Sequence, residues 1–89
     1  MSSLEENVSQ LVRLSEKVQK GKLTLKQIQK ISREAFDKQQ EIMTQLQEQE
    51  DQETDIILVQ NIFKMRELVW DIIKKIETAE LTAQKKEDK

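Results

Sequence analysis

The sequence predicts an all-α protein, built as an antiparallel three-helix bundle or a coiled-coil-like helical hairpin with a short first helix. The 89-residue chain contains no Pro and a single Gly, a composition that favours helices. Only 3% of its residues are aromatic, which argues against a sheet. Apolar residues recur at alternating steps of three and four along three segments, the spacing of packed helices. Because the chain is short, we expect one small helical domain spanning 1–89.

The first helix is predicted over about residues 4–20. Ser3 and Glu6 have the spacing of a capping box, and the apolar residues that follow keep a heptad pattern. Gly21 then lies between two lysines, and Gly most easily takes the left-handed conformation that ends a helix. The alternative is that Gly21 only kinks one continuous helix.

The second helix is predicted over about residues 25–48, and its beginning is the most specific local signal in the sequence. Thr24 and Gln27 form a second capping box. Leu23 and Ile28 have the spacing of a hydrophobic staple around it. Two independent devices therefore predict a helix that begins at the same point.

The third helix is predicted over about residues 54–84, followed by a polar tail at 85–89. With Ile62 as heptad position a, an unbroken a/d seam contains Leu58, Ile62, Met65, Val69, Ile72, Ile76, Ala79 and Ala83. A second apolar line, at positions b and e, contains Ile56, Val59, Phe63, Trp70 and Ile73. Together the lines cover an arc of about 160°, which suits a helix with two neighbours in a bundle. We therefore expect Trp70 to lie in the core.

The segment between the second and third helices is wholly polar. Residues 47–55 contain neither Pro nor Gly. A polar break of this length fits a connection between antiparallel helices, with Asp51 or Thr54 capping the next helix. Because Gln and Glu are good helix formers, one uninterrupted long rod is the alternative.

The residue types that the chain lacks argue against catalysis. It has no His, Cys or Tyr, which removes the usual general base, the thiol nucleophile and the soft metal ligands. The acidic run at 48–55 has no Gly in the frame of a calcium-binding loop. We therefore predict that the protein is not an enzyme and holds no cofactor or metal.

Charge and hydropathy bound the partners and the location. A net charge of -2 argues against nucleic acid as the partner. Charged residues interrupt every apolar stretch, so no transmembrane segment is predicted. Without Cys, a signal-peptide pattern or a lipidation motif, the expected location is intracellular, either cytoplasmic or nuclear.

Positive charges collect on one stripe of the second helix. Lys22, Lys26 and Lys30 are spaced four residues apart, and Arg33 follows. These four residues, the basic stripe, predict the alternative function, which is binding to an anionic surface such as nucleic-acid or membrane phosphates. The simpler interpretation is a solvated face, because no aromatic residue interleaves the stripe to stack on bases.

The predicted lengths leave one end of the molecule uncovered. Counting residues from the first joint places Leu4 opposite about Gln39, so the first helix stops short of the second connection. The predicted partner-binding surface there consists of Ile42, Met43, Leu46, Ile56, Ile57 and Val59. Our leading hypothesis is a non-catalytic helical protein–protein interaction module, an adaptor or scaffold subunit of a larger complex. The acidic surroundings favour a helical, basic protein as partner, and a homo-oligomer stays open.

Overall fold

The computed structural model describes residues 3–87, which form three α-helices and no strand. α1 spans Leu4–Gln19, α2 spans Leu25–Gln52 and α3 spans Ile56–Glu87. Each helix packs against the other two, which gives an elongated bundle of 53 × 23 × 17 Å. The prediction of an all-α three-helix bundle is confirmed, and the long-rod alternative is wrong.

α1 has a cap at each end. Ser3 Oγ accepts a hydrogen bond from the backbone N–H of Glu6 at 3.2 Å. This satisfies one of the N–H groups that a first helical turn leaves unpaired. Gly21 has a φ of 74°, the left-handed conformation that other residues adopt only at a cost. Because residues 20–24 are not helical, the alternative of one kinked helix is wrong.

α2 begins at the predicted capping box. The Gln27 N–H donates to Thr24 Oγ1 at 3.2 Å, and the Thr24 N–H donates to Gln27 Oε1 at 2.9 Å. Leu23 packs against the core cluster that contains Ile28. The reciprocal hydrogen bonds confirm the capping box, the sharpest local prediction made from the sequence.

The chain reverses between α2 and α3 in three residues. The Glu53 carboxylate accepts hydrogen bonds from the N–H groups of Thr54 and Asp55, each at 3.1 Å. Asp55 Oδ1 then accepts the N–H of Ile57 at 2.9 Å and so caps α3. The prediction of Asp51 or Thr54 as the cap is wrong, because the turn itself lies later in the chain than expected.

Both long helices extend beyond their predicted ends. α2 continues to Gln52 instead of about residue 48, because Gln and Glu sustain a helix without apolar contacts. α3 begins at Ile56 and continues to Glu87, so residues 85–87 of the predicted polar tail are helical. The remainder of that tail, 88–89, lies outside the described residues.

The buried apolar core is aliphatic. Its members are Leu11, Leu14, Val18, Ile28, Ala35, Ile42, Leu46, Ile62, Val69, Ile72, Ile73 and Ile76. On α3 the predicted a/d seam is buried from Ile62 to Ile76 at most positions, whereas Leu58 is 46% exposed. Full burial of one such side chain contributes about 1.5–3 kcal/mol, so this seam holds the three helices together.

One polar layer interrupts the packing between α1 and α2. Asn7 is fully buried, and its Nδ2 donates to Gln45 Oε1 at 3.0 Å. Lys38 Nζ donates to Asn7 Oδ1 at 3.3 Å and lies 3.8 Å from a carboxylate oxygen of Glu41. A buried polar group costs free energy unless it is hydrogen-bonded. The layer therefore favours one alignment of α1 along α2 over others.

The polar layer also corrects the predicted position of α1. Residue counting placed Leu4 opposite Gln39, but Asn7 pairs with Gln45 and Leu4 shares a surface depression with Leu46. The joint between α1 and α2 is an irregular segment rather than a tight turn, which displaces α1 towards the end of α2. α1 therefore covers a part of α2 that the sequence predicted to be open.

Candidate functional site

The bundle leaves heptad position b outside the core on all three helices. With Leu11 as position a of α1 and Ile42 as position a of α2, the apolar residues at position b are Val12, Phe36, Met43, Ile56, Phe63 and Trp70. Met43 is partly buried, and the other five are exposed. Positions a, d and e supply most of the contacts between helices, so the apolar arc is wider by one position than the bundle covers.

All aromatic residues of the chain occupy this position. Trp70 is 51% exposed, so the prediction of a core tryptophan is wrong. Phe36 is 56% exposed and Phe63 is 47% exposed. Aromatic side chains carry large apolar areas and are enriched at protein interfaces. The three side chains therefore add exposed apolar surface outside the aliphatic core.

A further exposed group lies where α3 begins. Ile56 is 73% exposed, Ile57 is 67% exposed and Leu58 is 46% exposed, while Val59 is partly buried. We name these four consecutive residues the tip patch. The sequence predicted three of them as surface, including the outward-pointing Ile57, and missed Leu58 because it continues the a/d seam.

The remaining residues of the predicted partner surface lie in the core or against it. Ile42 is 0% exposed and Leu46 is 1% exposed, so neither offers surface to a partner. Met43 is partly buried against the same core. The prediction of an open surface at Ile42 and Leu46 is wrong, because both side chains are buried in the core. The candidate surface therefore moves from α2 to α3.

Carboxylates surround the tip patch. Glu48, Asp51 and Asp55 are exposed, and Glu53 is partly exposed while it holds the turn. We name these four residues the acidic rim. The last turn of α2 contains no basic residue, although negative charge at a helix C-terminus opposes the macrodipole by about 0.3–1 kcal/mol per group. Glu48 and Asp51 are therefore unfavourably placed for α2, whereas Glu53 holds the turn and Asp55 caps α3.

Arg66 bridges α2 and α3 on the face of the hairpin away from α1. Its Nη2 lies 2.6 Å from Glu50 Oε2 and 3.2 Å from Gln47 Oε1. Its guanidinium carbon is 5.4 Å from the centroid of the Phe63 ring, within the range of a cation–π contact. The Arg66 guanidinium therefore contacts both α2 and the exposed Phe63 ring.

The opposite side of the tip has a different character. A depression of about 520 Å³ lies there between the first turn of α1 and the hairpin. Leu4, Leu58 and Met65 contribute its apolar lining, and Gln49 and Asn61 are among its polar lining residues. The depression is open and mixed in polarity. The tip patch therefore lies between this depression and the face that bears Arg66, and only the face with Arg66 has aromatic residues.

The basic stripe lies towards the other end of the bundle. Lys22, Lys26, Lys30 and Arg33 are all exposed. α3 returns Lys85 and Lys86, also exposed, to the same end as the joint between α1 and α2. Their exposure fits a solvated face.

Metal-binding groups, membrane-spanning helices and similarity to known proteins would each be a sign of function. Among the described residues, no group of three or more His, Cys, Asp or Glu side chains is placed to hold a metal ion. None of the helices in that range combines the length and apolarity needed to cross a membrane. Comparisons with protein-family models, curated proteins and solved structures find no match to this chain. The candidate site therefore depends on surface geometry alone.

Sequence reasoning missed Phe36, Phe63 and Trp70 as surface residues, although a signal was present. All three lie at position b, at the outer edge of the apolar arc. The d, a and e positions alone already give a helix two neighbours in a three-helix bundle. An aromatic residue beyond those positions is therefore a candidate for contact with a further helix.

Proposed function

We propose that this protein is a non-catalytic helical interaction module, an adaptor or scaffold subunit, whose tip patch binds a basic helix of another protein. The observation that carries the proposal is the exposure of Ile56, Ile57 and Leu58 inside the acidic rim. Contiguous apolar surface with a polar border is typical of protein interaction sites. Ile57 in particular contributes little to the core of its own bundle, so its apolar side chain is best explained by a partner.

The acidic rim supports a basic partner. Its carboxylates attract Lys and Arg side chains, accelerate the encounter and disfavour acidic competitors. The apolar centre supplies most of the binding free energy, since charged groups at an exposed rim contribute little. A second copy docking tip to tip places one acidic rim against another, which is repulsive. A different protein with a basic helix therefore fits the tip patch better than a homodimer through the same patch.

A synthetic Leu/Lys helix with heptad spacing tests the proposal, with a Leu/Glu helix of equal length as the charge control. We expect the Leu/Lys helix to bind, as measured by anisotropy of a labelled peptide. Ile57→Glu weakens this binding by at least about tenfold, because it puts a charge in the apolar centre. Leu68→Glu is the matched control, since Leu68 is a 49% exposed residue of α3 outside the tip patch.

Circular dichroism and thermal unfolding of the same variants complete this experiment. We expect Ile57→Glu to leave helicity and melting temperature nearly unchanged, because Ile57 is 67% exposed. Unfolding of the variant would assign Ile57 to the core, and undiminished peptide binding by a folded variant would remove the tip patch as the site. Equal binding of the Leu/Glu helix would contradict the basic character of the partner.

The second candidate is binding of an anionic surface through the basic stripe. Its supporting observation is the exposure of four cations, of which Lys22 lies in the joint before α2 and the other three lie on the first part of α2. We expect titration with duplex DNA or anionic vesicles at about 150 mM salt to give nothing tighter than non-specific binding, about 10⁻⁴–10⁻⁶ M. A sub-micromolar affinity that is lost when Lys26, Lys30 and Arg33 become Gln would place this second function first.

A further inference from the structure

The exposed apolar surface continues beyond the tip. From Ile56 it follows α3 through Val59, Phe63 and Trp70, at steps of three, four and seven residues. Such steps return to the same side of an α-helix. At 1.5 Å per residue, the distance from Ile56 to Trp70 is about 21 Å, or four helical turns.

α2 provides the second wall of this surface. The contact between Arg66 and Glu50 sets the alignment of the two antiparallel helices. Phe36 lies fourteen residues before Glu50, and Glu80 lies fourteen residues after Arg66. Phe36 is therefore level with about Glu80, more than two turns beyond Trp70. Because residues seven apart share a heptad position, Phe36 and Glu50 lie on nearly the same side of α2.

We propose that the face between α2 and α3 opposite α1 binds a single basic amphipathic helix, which begins on the tip patch and completes a four-helix bundle. We name this face the outer groove; it consists of Phe36, Met43, Phe63, Arg66 and Trp70. The inference rests on the proposed function, because the tip patch forms one end of the outer groove. Its new content is the occupant's helical form, its length and the role of Phe36 at the far end.

The geometry of the outer groove favours one helix as the occupant. Along this face Met43 is partly buried and Ile73 is fully buried against the core, whereas the exposed Glu77 continues position b of α3 beyond Trp70. From Ile56 to the level of Phe36 the groove is about 36 Å long, which matches a helix of about 24 residues. Two antiparallel helices with an open apolar side are completed by a further helix in four-helix bundles.

Charge identifies the kind of helix. The acidic rim lies at one end of the outer groove, so the occupant carries Lys or Arg at that end. This chain has basic residues on α2, but the apolar side of that segment is already buried in its own core at Ile28 and Ala35. A second copy therefore does not supply such a helix without unfolding, and the occupant belongs to a different protein.

Two labelled Leu/Lys heptad peptides test this inference, one of about 14 residues and one of about 24 residues. We expect the long peptide to bind at least about tenfold more tightly than the short one. Because the peptides contain no Trp, emission from Trp70 reports on the protein alone, and we expect the long peptide to shift it to the blue. Phe36→Gln weakens binding of the long peptide about tenfold and leaves the short peptide unchanged. Phe36→Leu retains tight binding.

Matched variants separate the outer groove from the tip patch. Val12→Gln is the control, because Val12 occupies position b of α1, outside the outer groove. We expect this substitution to leave the binding of the long peptide unchanged. If the tip patch alone is the site, Ile57→Glu abolishes peptide binding and Phe36→Gln does not change it. That result would contradict binding along the outer groove and would leave the proposed function standing. Binding of neither peptide contradicts both. A dimer of the chain that Phe36→Gln dissociates makes a second copy the occupant and overturns this inference.

Discussion

Two neighbouring lines of apolar residues on α3 have opposite surroundings. On the a/d line Val69 and Ile76 are 0% and 1% exposed. On the b line, one position to the side, Phe63 and Trp70 are about half exposed. The lines belong to the same helix and are both apolar, and the neighbours in the chain reach only one of them. The comparison teaches that the width of an apolar arc does not by itself give the part of it that the other helices of the chain cover.

Truncation on each line gives the largest expected difference. Ile76→Ala costs about 2–5 kcal/mol in the free energy of unfolding, because it leaves a cavity in a fully buried site. A loss of that size is comparable with the whole stability of a small domain. Trp70→Ala costs about 1 kcal/mol, although it removes a larger side chain, because half of that side chain is already in water.

Urea unfolding followed by circular dichroism measures both variants. If Trp70→Ala unfolds the isolated chain while Ile76→Ala is tolerated, the assignment of the two lines is reversed. Leu46→Ala provides a second core variant on α2, where the side chain is 1% exposed, and should behave like Ile76→Ala.

Substitutions in the polar layer between α1 and α2 should give the next largest loss in the free energy of unfolding. Asn7→Ala removes two hydrogen bonds from a fully buried residue, and we expect a loss of about 1–3 kcal/mol. A double-mutant cycle with Gln45→Ala should give a coupling of about 0.5–3 kcal/mol, because the two side chains are bonded directly. Additive losses would mean that the layer does not hold α1 in place.

The bridge on the outer face gives the smallest effect. The side chains of Arg66 and Glu50 are 22% and 26% exposed, so solvent and salt screen part of their attraction. A double-mutant cycle with Arg66→Gln and Glu50→Gln should give about 0.2–1 kcal/mol, decreasing as salt is added. A coupling of several kcal/mol would show that the outer face is a second core rather than an exposed surface.

Local features of this fold could be predicted because they depend on residues close in sequence. The capping box at Thr24, the left-handed Gly21 and the buried seam of α3 follow from spacing and backbone preference alone. The cap at Asp55 was missed because polar residues continue a helix as readily as they end it.

Features that depend on distant residues were not predictable in the same way. The position of α1 depends on contacts between distant residues, such as the hydrogen bond between Asn7 and Gln45, which are 38 residues apart in sequence. Half of the candidate site was also missed. The exposure of Ile57 followed from its heptad position, whereas the exposure of Trp70 depends on how far the other two helices reach around α3, which periodicity does not give.

The most direct test of the account is the fluorescence of Trp70, the single Trp of the chain, in the isolated protein. Sedimentation identifies the conditions under which the chain is monomeric, and circular dichroism confirms that it is helical. Under those conditions we predict water-like emission that a neutral quencher such as acrylamide reduces readily, because the side chain is 51% exposed. Blue-shifted emission that the quencher does not reach, in a folded monomer, would contradict an open aromatic face.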